Sequence, residues 1–106
     1  MIDFMNDNFS VQNKVIDEYA ERIGPIGLAI YSLLCRYSGE EGYCFIPSKM
    51  IARKLGISQR SVFTYLKRLF ENDLIFKRDW KRPDGSVANG EYVYVLRNLD
   101  PVTSNF

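Results

Sequence analysis

Histidine is missing from the sequence altogether. That absence removes Ser-His-Asp triads, Cys-His dyads, imidazole-held metals and histidine pH switches. Cysteine is scarce: Cys35 and Cys44 are the only two, too few for a disulfide framework or a four-cysteine zinc site. No apolar run reaches the ~18–20 residues that a transmembrane helix needs. The first residues, Met1 to Asp7, put no basic region ahead of an apolar stretch, so they do not read as a signal peptide. There is no Gly-rich phosphate loop, no nucleophile elbow and no convincing acid/base pair. The expectation is a cytoplasmic protein that is not an enzyme, needs no cofactor and does not engage a membrane.

What is present fits one small globular domain. The chain has 106 residues, 46% of them hydrophobic and 25% charged. A chain of this length buries roughly 60–70% of the surface its unfolded form exposes, enough for a core without staples. The formal net charge of +1 hides an asymmetry. Ten of the fourteen basic side chains fall between residues 46 and 82, where they outnumber acidic ones by seven. Residues 1–45 are net acidic, and so are residues 83–106. Either one cationic face awaits a polyanion, or the lysines and arginines simply solvate exposed helices; charge alone does not decide.

The pattern of apolar residues sets out the elements. Residues 1–10 read as an arm or a short edge strand, residues 11–98 as the folded domain, and residues 99–106 as a polar tail. A helix is predicted over 12–23, with Val15, Ile16, Tyr19 and Ile23 inward. Gly24 suits a helix C-terminus and Pro25 the first turn of the next helix, predicted over 25–38. Its stripe is Ile26, Ala29, Ile30, Leu33, Leu34 and Tyr37. Tyr43 to Ile46 is a short β-prone run. Ser48 is a candidate N-cap for a two-turn helix with Ile51, Ala52 and Leu55 inward. Ser58 caps a third helix ending near Asn72, with Val62, Tyr65, Leu66 and Leu69 inward. Two strands follow, Leu74 to Trp80 and Glu91 to Leu96, joined by a loop of about ten residues with turn signals at Pro83-Asp84-Gly85 and Asn89-Gly90.

The segment from Ser48 to Tyr65 has the pattern of a helix-turn-helix. Two short helices crossing at a steep angle need apolar residues on the facing sides, a small residue at the contact and a glycine in the turn. Ile51 and Leu55, Ala52 and Gly56 fill those places in order. Ile57 plugs the gap, and Val62 and Tyr65 anchor the second helix. Strands directly after that helix make the expected fold α+β, mostly α: a winged helix-turn-helix of three to four helices with a small antiparallel β-wing.

These residues carry a resemblance. Ile23-Gly24-Pro25, Ile30-Tyr31, Phe45-Ile46-Pro47-Ser48, Ile51-Ala52, Leu55-Gly56-Ile57-Ser58, Arg60-Ser61-Val62 and Leu69 through Leu74-Ile75 resemble the winged-helix domains at the N-termini of plasmid and phage replication proteins. The likeness spans roughly residues 9–97. It implies a sequence-specific DNA-binding protein: an accessory factor for replication or conjugative transfer on a mobile element, or a small transcriptional regulator. Replication or transfer proteins would then be further partners.

In that frame the helix at about 58–72 enters the major groove of double-stranded DNA. At about 100° per residue, Arg60, Thr64 and Lys67 point away from the core, with Ser61 and Arg68 on one flank and Gln59 on the other. Arg60 has the reach for guanine O6 and N7, and Gln59 the donor–acceptor pair for adenine. Ser58, Lys67 and Arg68 suit phosphates, as do Ser48 and Lys49 of the preceding helix. The wing, 77–92, offers Lys77, Arg78, Lys81, Arg82 and Asn89 to the backbone or the minor groove. Phe63 departs from the polar residue usual after the anchoring Val. Packing under the wing beside Phe70 is the simpler expectation, with a thymine methyl or a dimer contact as alternatives. Trp80 is expected to pack between wing and core.

Paired half-sites make a homodimer plausible, through residues 1–23. The competing expectation is a protein-interaction module that never touches DNA, using Phe63, Phe70, Tyr31 and the acidic N-terminal third. The cysteines are expected to be structural, with a regulatory disulfide as the alternative. Asp17, Glu18 and Glu21 read as a solvated helix face rather than a metal site.

Overall fold

The computed structural model describes residues 9–81 and 87–97, with side chains placed for all of them except Glu40, 79–81 and 87–92. A helical segment winds as a π-helix over Val15–Tyr19 and runs on into α1, Ala20–Ser38. α1 is two helical arms in one line of sequence, because Gly24 breaks it with φ 77° and ψ 168°. That backbone is open to glycine and almost nothing else. Gly24 is therefore the predicted break, but not in the left-handed helical conformation of a usual helix cap. Pro25 sits in the first turn of the second arm, where its missing N–H costs nothing.

Gly39–Glu41 forms a 3₁₀ turn leading to β1, Tyr43–Cys44. Then come α2, Ser48–Leu55, and α3, Gln59–Glu71, followed by β2, Ile75–Lys81, and β3, Val87–Leu96. The sheet is antiparallel in the order β1-β3-β2. The short β-prone run is a strand as expected, but its pairing was not foreseen: Tyr43 lies opposite Val95 and Cys44 opposite Tyr94, so it closes onto the far strand of the wing. Both strands of the hairpin also reach further than predicted. Asn89 and Gly90 lie inside β3 rather than in the loop. They fall where the register slips between Asp79 and Lys81, the irregularity that a glycine in a strand often marks.

The core sits where the three helices meet the base of the sheet. Val15, Ile23, Ile30, Leu34, Ile51, Val62, Leu69 and Leu74 are fully buried. Each aliphatic side chain of that kind contributes about 1.5–3 kcal/mol by leaving water. α1 supplies the central rod, packing on α3 through its buried stripe. Two stripe residues were misplaced by periodicity. Ile16 is exposed because the wider π-helical turn brings Val15, rather than Ile16, into line with Ile23. Tyr37 is exposed as well, its ring flanked by Arg36 and Lys54 at 5.5 Å each. The cysteines follow the structural expectation: both are buried and free, and Cys44 points its thiol at the Leu34 carbonyl, 3.7 Å away.

Candidate nucleic-acid interface

The helix-turn-helix is assembled as its residue types require. Ile51 and Ala52 are buried on α2, and Val62, Leu66 and Leu69 on α3. Gly56 ends α2 in the left-handed conformation, φ 67° and ψ 34°, with its N–H on the Ala52 carbonyl. The Ile57 N–H reaches the same carbonyl at 3.0 Å, so both donors of the turn are satisfied by one acceptor. Ser58 then caps α3. Its hydroxyl oxygen accepts from the Ser61 N–H at 3.0 Å and its hydroxyl lies 3.0 Å from the Ser61 Oγ.

Ser48 does not cap α2. The capping position is Pro47, whose carbonyl takes the Met50 and Ile51 N–H groups, and Ser48 is the first helical residue. The Ser48 hydroxyl instead accepts a 2.8 Å hydrogen bond from the Gln59 amide. This bond ties the start of α2 to the start of α3. Nothing in a spacing of eleven residues signals it. It also changes what Gln59 offers, since a bidentate adenine contact uses both amide atoms and so competes with the tie.

The outward face of α3 is as the helical wheel places it. Arg60, Thr64, Lys67 and Arg68 are exposed, and Ser61 is half-buried. The Thr64 hydroxyl donates back to the Arg60 carbonyl at 3.1 Å, so its donor is occupied. Arg68 does not stand free: its guanidinium lies 4.8 Å from the centre of the Tyr65 ring, on the flank toward α1. α2 adds Lys49, Arg53 and Lys54, all exposed. Arg53 and Lys54 are cations that motif reasoning passed over, although the charge count contained them.

On the wing, Lys77 and Arg78 are exposed and point to opposite faces of β2, as alternation requires. The Lys77 ammonium sits 5.7 Å from the Phe70 ring, on the α3 side, and the Arg78 guanidinium 6.0 Å from the Tyr43 ring. Of these two, Lys77 is thus the one turned toward α3. The expected contacts by Lys81, Arg82 and Asn89 and the packing of Trp80 lie outside the described side chains.

Phe63 overturns the packing expectation. It is 56% exposed, so it does not pack away under the wing. Phe70 is half-buried instead, tilted against Tyr94 with ring centres 6.3 Å apart. Tyr31, expected on a protein-contact surface, is 1% exposed and belongs to the core. Its phenol is raised well above the usual tyrosine range by burial first and by Cys35 beside it second. Phe45, three residues before α2, and Met50, within it, are exposed apolar side chains, and neither was expected on a contact surface. Glu18 faces Lys14 at 3.9 Å, and among the described residues no cluster of acidic or thiol groups could hold a metal. Nor is any described helix long and apolar enough to cross a membrane.

Comparison with known proteins agrees with this geometry. The fold is shared with a possible transcriptional regulator from Methanosarcina mazei Go1, at a TM-score of 0.56 and 12% identity over 92% of this chain and 81% of that one. No curated protein matches the chain. Residues 21–75, over half of the chain and running from the second residue of α1 through the start of β2, match a helix-turn-helix domain family, and the protein belongs to that family.

Proposed function

We propose that the chain is a non-catalytic, sequence-specific double-stranded DNA-binding protein. α3 lies in the major groove, and the wing rests on the adjacent backbone or minor groove. The observation that carries this reading is a built helix-turn-helix with exposed cations on both of its helices. Arg60 and Lys67 on α3 and Lys49, Arg53 and Lys54 on α2 are all exposed, while the apolar residues of the helix–helix contact turn inward. Arg60 reads a base edge, for which its fork suits guanine. Ser58, Ser61, Lys67, Lys49 and Lys77 hold phosphates, and Arg68 a flanking phosphate beyond Tyr65. Phe63, being exposed on the same helix, meets a thymine methyl. Gln59 and Ser48 set the angle between the two helices through their mutual bond.

The output of such a protein comes from occupying its site. A small transcriptional regulator fits, and so does a plasmid or phage accessory factor for replication or conjugative transfer, working with the proteins of that process as a homodimer on paired half-sites. The test is a binding titration against DNA from the protein's own locus beside random DNA, at two salt concentrations. Tighter cognate binding that weakens as salt rises supports the reading. No binding even at low salt refutes it and leaves the protein-interaction alternative, which the exposed Phe45, Met50 and Phe63 would serve.

A further inference from the structure

Between α3, the β1–α2 connection and the sheet lies a groove of about 740 Å³. That is within the ~300–1,000 Å³ usual for small-molecule sites. Its walls are Phe45 and Ile46 from the connection, Phe63, Leu66 and Phe70 from α3, and Tyr94 from β3. Phe45 and Phe63 are 44% and 56% exposed, so the aromatic surface at its mouth is in water. Lys49, Lys67 and Lys77 stand at the lining, and among the described residues that line it there is no aspartate or glutamate. Ser48 and Gln59, also on the lining, are bonded to each other.

Apolar walls with the exposed cations Lys49 and Lys67 beside them select by two independent criteria. An inorganic anion satisfies the lysines and leaves the aromatic walls wet. An alkyl cation covers the walls but meets like charge, and an uncharged lipid covers them but brings no counter-charge to Lys49 and Lys67. A DNA backbone tracks the lysines but brings no apolar group to the walls. One chemistry satisfies both: a compact apolar body carrying a single acidic head. We propose that this groove is a binding site for a small amphipathic anion, a medium-chain or aromatic carboxylate, whose occupancy competes with DNA. Competition rests on the proposed DNA binding, because Lys67, Lys49 and Phe63 serve both ligands. The site itself does not. By linkage, DNA must weaken the carboxylate by the same factor as the carboxylate weakens DNA.

The test uses the full chain with decanoate, decyltrimethylammonium and acetate, below micelle-forming concentrations, followed by titration calorimetry. Decanoate is expected to bind saturably, about tenfold or more tighter than the cation of equal chain length, with acetate not binding. Phe45→Ser, a wall residue with no assigned DNA contact, is expected to weaken decanoate about tenfold while leaving DNA affinity within about twofold. In a second titration, saturating decanoate lowers DNA affinity, and Lys67→Ala weakens both ligands. Equal binding of decanoate and decyltrimethylammonium overturns the proposal, and so does simultaneous, mutually indifferent binding of decanoate and DNA. A chain that binds DNA but not decanoate refutes the site and leaves the DNA reading intact. A chain that binds decanoate but no DNA upholds the site and refutes the DNA reading instead.

Discussion

Replacing Gly24 and Gly56 by alanine, one at a time, separates two turns that look alike in sequence. Each glycine ends a helical arm with positive φ, and each precedes the arm that carries the next part of the fold. Gly56 has φ 67° and ψ 34°, with no atom within 4 Å of where a Cβ would stand. Left-handed helical backbone costs an L-residue about 1–2 kcal/mol. Alanine also restricts the unfolded chain, which returns roughly 0.4–1 kcal/mol. The net loss for Gly56→Ala is therefore about 0–1.5 kcal/mol. Gly24 has φ 77° but ψ 168°, a region used essentially by glycine alone, with strain near the upper end of ~1–3 kcal/mol. Its Cβ would meet Tyr65 at 3.6 Å and Arg68 at 3.5 Å, ordinary contacts that add no clash. Pro25 behind it disfavours the helical region, so the backbone has little room to relax.

Gly24→Ala should then lose about 1–2.5 kcal/mol and exceed Gly56→Ala by about 1 kcal/mol. The assay is urea unfolding of the wild type and both variants, with the midpoint compared at constant slope. In a domain of this size a difference of ~1 kcal/mol also separates the melting temperatures by about 4–8 °C. A Gly24→Ala variant as stable as Gly56→Ala, or more so, would refute the reasoning. The ranking rests on ψ, the respect in which the two backbones differ most.

Three further outcomes are expected. Ser58→Ala removes the cap of α3 and should lower stability by about 1 kcal/mol in the same melts, while Ser58→Asp, which keeps an acceptor, should not. Arg60→Ala should weaken cognate DNA by about 1–3 kcal/mol and relax specificity at one position, read by competition with single-base variants; equal weakening on every sequence would move Arg60 to the phosphates. Burial pushes the Cys35 and Cys44 thiols from their usual value near 9 up to about 11. The folded chain thus holds both protons more tightly than the unfolded one. Their contribution is whole below pH about 9 and is lost as pH climbs toward about 11, so the urea midpoint should fall across that window and fall less in the Cys35→Ala/Cys44→Ala variant.

Most of the fold was legible because its signals are local. A buried helix repeats every three or four residues, and a helix-turn-helix adds a glycine and a small residue at set places. Ala52, Gly56 and Val62 each answer to one such requirement, and each is where it was expected. The misses arise where geometry departs from the ideal period or where partners are far apart. Ile16 matched a helical stripe only if the turn were α, and it is π. Tyr43 and Cys44 looked like a strand, but their partners Val95 and Tyr94 lie some fifty residues on, a pairing no local pattern encodes.

The candidate site divides along the same line. The outward positions Arg60, Thr64 and Lys67 follow from the wheel, since any residue opposite Val62, Leu66 and Leu69 must face water. How those side chains are held does not follow. The Gln59–Ser48 bond, the Arg68–Tyr65 stack and the open ring of Phe63 depend on where α2, α3 and the sheet come to rest against one another. Phe63 shows the reason. A phenylalanine on a helix is assigned to the core by default because burial is worth so much to it. Here the inward arc of α3 is already filled by Val62, Leu66 and Leu69, each at most 3% exposed, and position 63 falls outside that arc. The ring has nowhere inward to go. An aromatic left in water beside this groove is the side chain on which the proposed DNA contact and the proposed carboxylate site both draw.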